Sequence, residues 1–168
     1  PIKPPYAGRV AGPMTRDVLD AAWLLTALTR PDWRDSMSLP HQAIAWLQRL
    51  WQRRLGRLST QVLNEFYVNA TRKIKPAMPA GDARAEVRRY QRWEPWAIDH
   101  ATVESAWSVE SRYGLKYCDA LIVAAAQAQG CRYLLSEDLQ HQQQFDSVQV
   151  LNPFLVGPEV LDAPPPAS

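Results

Sequence analysis

An α/β layered domain with a mainly parallel sheet is the fold class this sequence predicts, and three observations predict it. Helical apolar stripes alternate along the chain with short apolar runs of strand length. The clearest unit, residues 113–154, reads as helix, glycine stop, apolar strand, then the acidic pair Glu137 and Asp138. At 168 residues and 46% hydrophobic, the chain is long enough for one domain to bury a real core. In parallel sheets of this class the ligand site lies beyond the carboxyl ends of the strands, which is where the acidic pair falls.

The elements follow in order. Residues 1–14 are rich in proline and aperiodic, and are expected to be a flexible leader. Residues 17–28 (DVLDAAWLLTAL) fit either a buried strand broken by one acid or a short helix, since Ala and Leu favour the latter. A helix is predicted over 41–54, with Ile44, Leu47 and Trp51 on one face and Gly56 as its stop. Ser59-Thr60 supplies cap chemistry for a second helix reaching residue 74. Gly81-Asp82 opens a third, whose Arg84, Arg88 and Arg92 recur every four residues and so share a face. Residues 96–98 are short enough for a strand. Asp99 caps a helix over 100–112, with Val103, Trp107 and Val109 partly inward, and Gly114 ends it. An Ala-rich helix over 117–129 is closed by Gly130. Strands are predicted over 131–135 and 148–151. The domain is taken as residues 15–156, and 157–168 as a flexible tail.

The net charge of +2 says little, but its distribution says more. Residues 48–92 hold 11 Lys and Arg against 3 acids, whereas residues 93–168 hold 3 against 10. Such asymmetry fits a basic surface offered to a polyanion, and equally fits solvated helix faces that happen to be Arg-rich. Cys118 and Cys131 lack metal-ligand spacing and lie in apolar runs, so two buried free thiols in a reducing compartment are expected. No run approaches the roughly 18 apolar residues of a membrane span, and a cytoplasmic protein is expected.

Four acids each interrupt an apolar context: Asp20, Glu65, Asp119 and Asp138. Each has an ordinary explanation. Asp119 suits the first turn of a helix, Asp138 a turn after a strand, Glu65 a half-exposed helix position, and Asp20 a helix cap. Taken together they leave open why all four lie beside buried segments. Clustered carboxylates repel one another unless a cation compensates, and hard oxygen donors suit Mg²⁺ or Mn²⁺. His41, His100 and His141 are scattered in polar settings and read as surface residues.

The segment YCDALIVAAAQAQGCRYLLSEDLQ followed by VLNPF resembles the C-terminal half of a PIN domain, and among PIN domains the VapC-like toxin ribonucleases. LSTQVLNEFYVNATRK is similar to that family's second acidic segment. The resemblance spans about residues 17–154. It implies a three-layer α/β/α sandwich with a mainly parallel central sheet, and Mg²⁺- or Mn²⁺-dependent endoribonuclease activity. It also implies an RNA substrate, an antitoxin partner and frequent homodimers. Carried over by position, Glu65 matches the second acid of the metal site, Asp119 the third and Asp138 the fourth. Asn64 and Ser136 are the expected supporting groups around them, and Glu137 is expected to be peripheral. The basic segments 49–57 and 84–92 are expected to meet RNA phosphates.

The first acidic segment departs from the pattern. The family's strand ends in Asp-Thr-Asn; here the best match places Asp20 on the acid and Ala21-Ala22 on its neighbours. The hydroxyl and amide that would orient Asp20 and its water are gone. Reduced metal affinity or activity is one expectation, and a catalytically impaired PIN-fold binding protein is the alternative it raises.

Overall fold

Tyr133, Leu134, Leu135 and Ser136 are buried at every position, the signature of a strand covered on both faces. This strand is the heart of the sheet. The computed structural model describes residues 10–14, 41–72 and 77–162. Among them, five strands form one sheet: β1 (Val10–Met14), β2 (Gly56–Arg57), β3 (Tyr133–Ser136), β4 (Gln144–Phe145) and β5 (Val148–Leu151), ordered β2-β1-β3-β5-β4. Every pairing is parallel except β4 with β5. The helices are α1 (His41–Arg53), α2 (Thr60–Arg72), α3 (Ala80–Arg89), α4 (His100–Tyr113) and α5 (Tyr117–Ala128). This is an α/β fold compatible with the three-layer sandwich.

Each element has a local cause. In α5, Ala120 through Ala126 are all buried, so the helix is apolar all round and lies inside the molecule. Gly130 follows in the left-handed region at φ 63°, as the glycine stop predicted. In α2, Val62, Leu63, Phe66, Asn69 and Ala70 are buried. Ser59 Oγ accepts from Val62 N, so the predicted cap is present. Asp99 Oδ1 accepts from Thr102 N at 2.8 Å and opens α4, and Gly114 at φ 66° closes it. Trp46, Leu50, Phe66, Tyr90, Leu134 and Phe145 are among the largest fully buried side chains of the core.

Several expectations are corrected. Residues 10–14, the end of the segment read as a leader, are β1, flanked by strands on both sides. Its register against β3 shifts between Ala11 and Met14, around Pro13, which has no N–H to give a ladder. The first strand or helix read over residues 17–28 lies outside the described residues. Gly56 does not stop α1. Arg54 does, at φ 54°, while Gly56 belongs to β2 and lies against the Trp93 indole, 2.6 Å from where a Cβ would sit. Residues 96–98 are not a strand: Trp96 makes a single bridge to Ser59. Trp107 faces outward at 46% exposure, and Cys118 is exposed although Cys131 is buried. The short β4 was not foreseen. Within the segment read as a tail, Pro158–Asp162 forms a 3₁₀ turn, and Trp46 Nε1 donates to Val156 O at 2.8 Å just before it.

Candidate active site

The site begins with chain direction. β3 runs out at Ser136, and Asp138 follows two residues later. α5 returns through Gly130 into β3, so its first turn lies at the sheet edge where β3 ends; Asp119 is in that turn. α2 leaves β2 at the same carboxyl edge, and Glu65 is in its second turn. α2 also packs against both β1 and α5. Three of the four predicted acids, Glu65, Asp119 and Asp138, thus belong to one edge. Asp20, with its neighbours Ala21 and Ala22, lies outside the described residues.

The three acids are held differently. Glu65 is half-buried, and its Oε1 accepts from Gln61 Nε2 at 2.7 Å. Gln61 was missed by sequence reasoning, although its place one turn before Glu65 is the signal that could have found it. Asp119 is half-buried, and α5 has no side chain capping its first amides. Loss of solvation pushes the Asp119 carboxyl above its ordinary value, and the Lys116 ammonium nearby offsets part of that rise. Asp138 is placed through its backbone: the fully buried Ser136 Oγ accepts from Asp138 N and Leu139 N, both at 3.1 Å. Asp138 Oδ1 is itself a buried atom. Ser136 thus bonds the backbone of the turn that carries Asp138, whereas Asn64 is exposed. Glu137 is half-buried beside Asp138.

Two of the histidines have described side chains, and each has a partner other than Glu65, Asp119 or Asp138. His100 is exposed, 3.4 Å from Glu104, and His141 Nδ1 accepts from Asn152 N at 3.2 Å. The donor set at the edge is therefore carboxylate oxygen, which in kind suits a hard divalent cation. Among the described residues no group of three or more such side chains is close enough to hold an ion. The described acids fit a cation by chemistry and do not complete a cage by themselves.

A mainly parallel sheet with acids placed along its carboxyl edge defines an α/β domain whose polar groups lie where such folds bind ligands. The PIN domain family model matches residues 32–146, more than half of the chain, and the chain belongs to that family. PIN domains are generally nucleases and typically use divalent metals, so membership points to nuclease-type chemistry. The matched region contains Glu65, Asp119 and Asp138 and begins after Asp20. No curated protein matches the chain. Among the described residues, no helix is long and apolar enough to cross a membrane.

Proposed function

We propose that this protein is a divalent-metal-dependent endoribonuclease that hydrolyses RNA phosphodiester bonds, and that it is the toxin of a toxin–antitoxin pair. The observation that carries the reading is the family match, supported by the chain direction that puts Glu65, Asp119 and Asp138 on one sheet edge. Asp119, Asp138 and Glu65, with Asp20 from the segment before them, would hold Mg²⁺ or Mn²⁺. When bound, such an ion supplies charge compensation for the phosphate and a more acidic water.

The protein's own groups do the rest. Ser136 fixes the turn that presents Asp138, and Gln61 holds Glu65. Asp119, with its carboxyl raised above the ordinary range by desolvation, would accept a proton from the attacking water. RNA, a cognate antitoxin and a second copy of the chain are the partners of this reading. Two free thiols accord with a reducing, cytoplasmic setting.

The test is cleavage of labelled RNA with Mg²⁺ or Mn²⁺, wild type against Asp119→Asn. Cleavage by wild type alone is expected; equal cleavage by both, or by neither across several metals, removes the catalytic assignment. A second reading, a PIN-fold protein that binds RNA or a protein partner without cutting, is favoured by one observation: Ala21-Ala22 stand where the family has Thr-Asn. Calorimetric titration with Mn²⁺ separates the two, because a binding-only protein takes up no ion at Glu65, Asp119 and Asp138.

A further inference from the structure

The two basic segments of the sequence fare differently in the fold. In α1, Arg49 and Arg53 both pair with Asp162 of the C-terminal 3₁₀ turn, and Arg57 lies 3.8 Å from Glu94. Each of these three arginines has an acid partner, so Asp162 and Glu94 answer two of the four positive charges of segment 49–57. In α3, Arg89 is also engaged, 3.7 Å from Glu86 and stacked 5.0 Å over the Trp51 ring. Arg84 and Arg88 are exposed, and no acid pairs with either among the described residues.

At about 100° per residue, Arg84 and Arg88 lie within about 40° of each other on α3. Ala80, Gly81 and Ala85 occupy the same flank, all exposed and too small to screen a guanidinium. Asp82 and Glu86 fall on the opposite flank by the same spacing. Arg92 does not continue the row as the sequence suggested, because Tyr90–Trp93 winds as a tighter 3₁₀ turn and rotates it away.

The direction of α3 matters as much as its charge. Met78 N, just before α3, donates to Ala70 O near the end of α2, at 2.8 Å. Beyond α3, Trp96 N donates to Leu58 O at 2.8 Å and Thr60 N to Trp96 O at 2.9 Å. The chain through α3 therefore runs back along α2 and returns to the start of that helix, at the edge where Asp119 and Asp138 lie. The row leads from Arg84 to Arg88 toward the acids. We propose that this α3 flank, and not α1, is the track that grips the phosphates of a single-stranded RNA and leads it to the acidic edge. The inference rests on the ribonuclease reading.

The experiment is equilibrium binding of a fluorescein-labelled single-stranded RNA, followed by anisotropy in chelator so that no cleavage occurs, over a range of salt. Loss of two phosphate contacts lowers the slope of log affinity against log salt by about 1.4, at roughly 0.7 per contact on a single strand. At about 0.1 M salt that is roughly a 25-fold weakening. The Arg84→Gln/Arg88→Gln double variant is expected to show it, with its thermal midpoint unchanged. Arg84→Lys/Arg88→Lys is expected to keep the wild-type slope, and Arg49→Gln/Arg53→Gln to change it little. If wild type binds and the α3 glutamine variant keeps the full slope, or the α1 variant loses more, the track is elsewhere and the ribonuclease reading stands. An acidic protein as the occupant of this flank gives that same result. If wild type binds no RNA, the proposal and the ribonuclease reading fall together.

Discussion

Asp99 and Asp119 open two adjoining helices, and the protein uses them in opposite ways. Asp99 stands at the cap of α4, where its Oδ1 accepts from Thr102 N at 2.8 Å and from Thr102 Oγ1 at 2.6 Å. These bonds hold its carboxyl below the usual range. Thr102 Oγ1 in turn accepts from Trp96 Nε1, so the cap is tied to the loop that bridges back to α2. Asp119 is in the first turn of α5 and makes no such bond among the described residues; burial pushes its carboxyl up. A helix start favours an acid in both cases. What separates structure from chemistry is whether the helix amides consume the carboxylate. At Asp99 they do, and at Asp119 the oxygens remain for something else.

The largest effect that could break this contrast is on RNA cleavage. Asp119→Asn is expected to lower the rate by roughly 10²-fold or more, as loss of a proton-accepting group does. Asp99→Asn is expected to leave it within about twofold, because asparagine caps a helix nearly as well as aspartate. Equal losses in gel-resolved time courses of the two variants would erase the distinction.

Next in size is Ser136→Ala, which asks whether Asp138 belongs with Asp119. Ser136 Oγ is the partner of two backbone amides in a fully buried position. Removing it is expected to cost about 1–3 kcal/mol in urea unfolding. Cleavage should fall by about 10–100-fold, the usual cost of losing a group that orients a metal-site residue. A variant destabilised by that amount but fully active would show that the turn supports the core and does not position Asp138.

How legible this was in the sequence differs by region for the same physical reason. The bounds of the α4–α5–β3 unit were readable, because Asp99, Gly114 and Gly130 are local signals and the buried run 133–136 is continuous, whereas the outward faces of Trp107 and Cys118 were not. The acids Asp119 and Asp138 could be named as candidates, but not their opposite modes of support. Those depend on contacts across the fold, as do the Asp162 pairs that occupy α1. β1 was missed because Val10–Met14 is short and contains Gly12 and Pro13, so its strand character comes from the neighbours it pairs with and not from its own propensity. Gly56 was misread as a helix stop because nothing local shows the Trp93 ring that needs the space.

The smallest expected effect, and the sharpest test of the contrast, is the sign of the pH dependence of stability. A carboxyl raised by folding binds a proton more tightly in the folded state. The stability of the wild type at Asp119 is therefore full below its ordinary value and is lost as pH rises through the folded value. For Asp99 the order reverses: its bonds stabilise above the ordinary value, and that contribution is lost as pH falls through the lowered one. In metal-free thermal melts, Asp119→Asn should raise the midpoint at pH about 7 and leave it unchanged near pH 3, below the ordinary carboxylate range. Asp99→Ala should lower the midpoint at pH about 7, with the deficit shrinking toward acid. Added Mn²⁺ should then raise the wild-type midpoint more than that of Asp119→Asn, since only a site with its charge intact gains from the ion. Two variants shifting in the same direction at neutral pH would mean that Asp119 is one more helix-start acid, and that its raised carboxyl has no part in the chemistry of the edge.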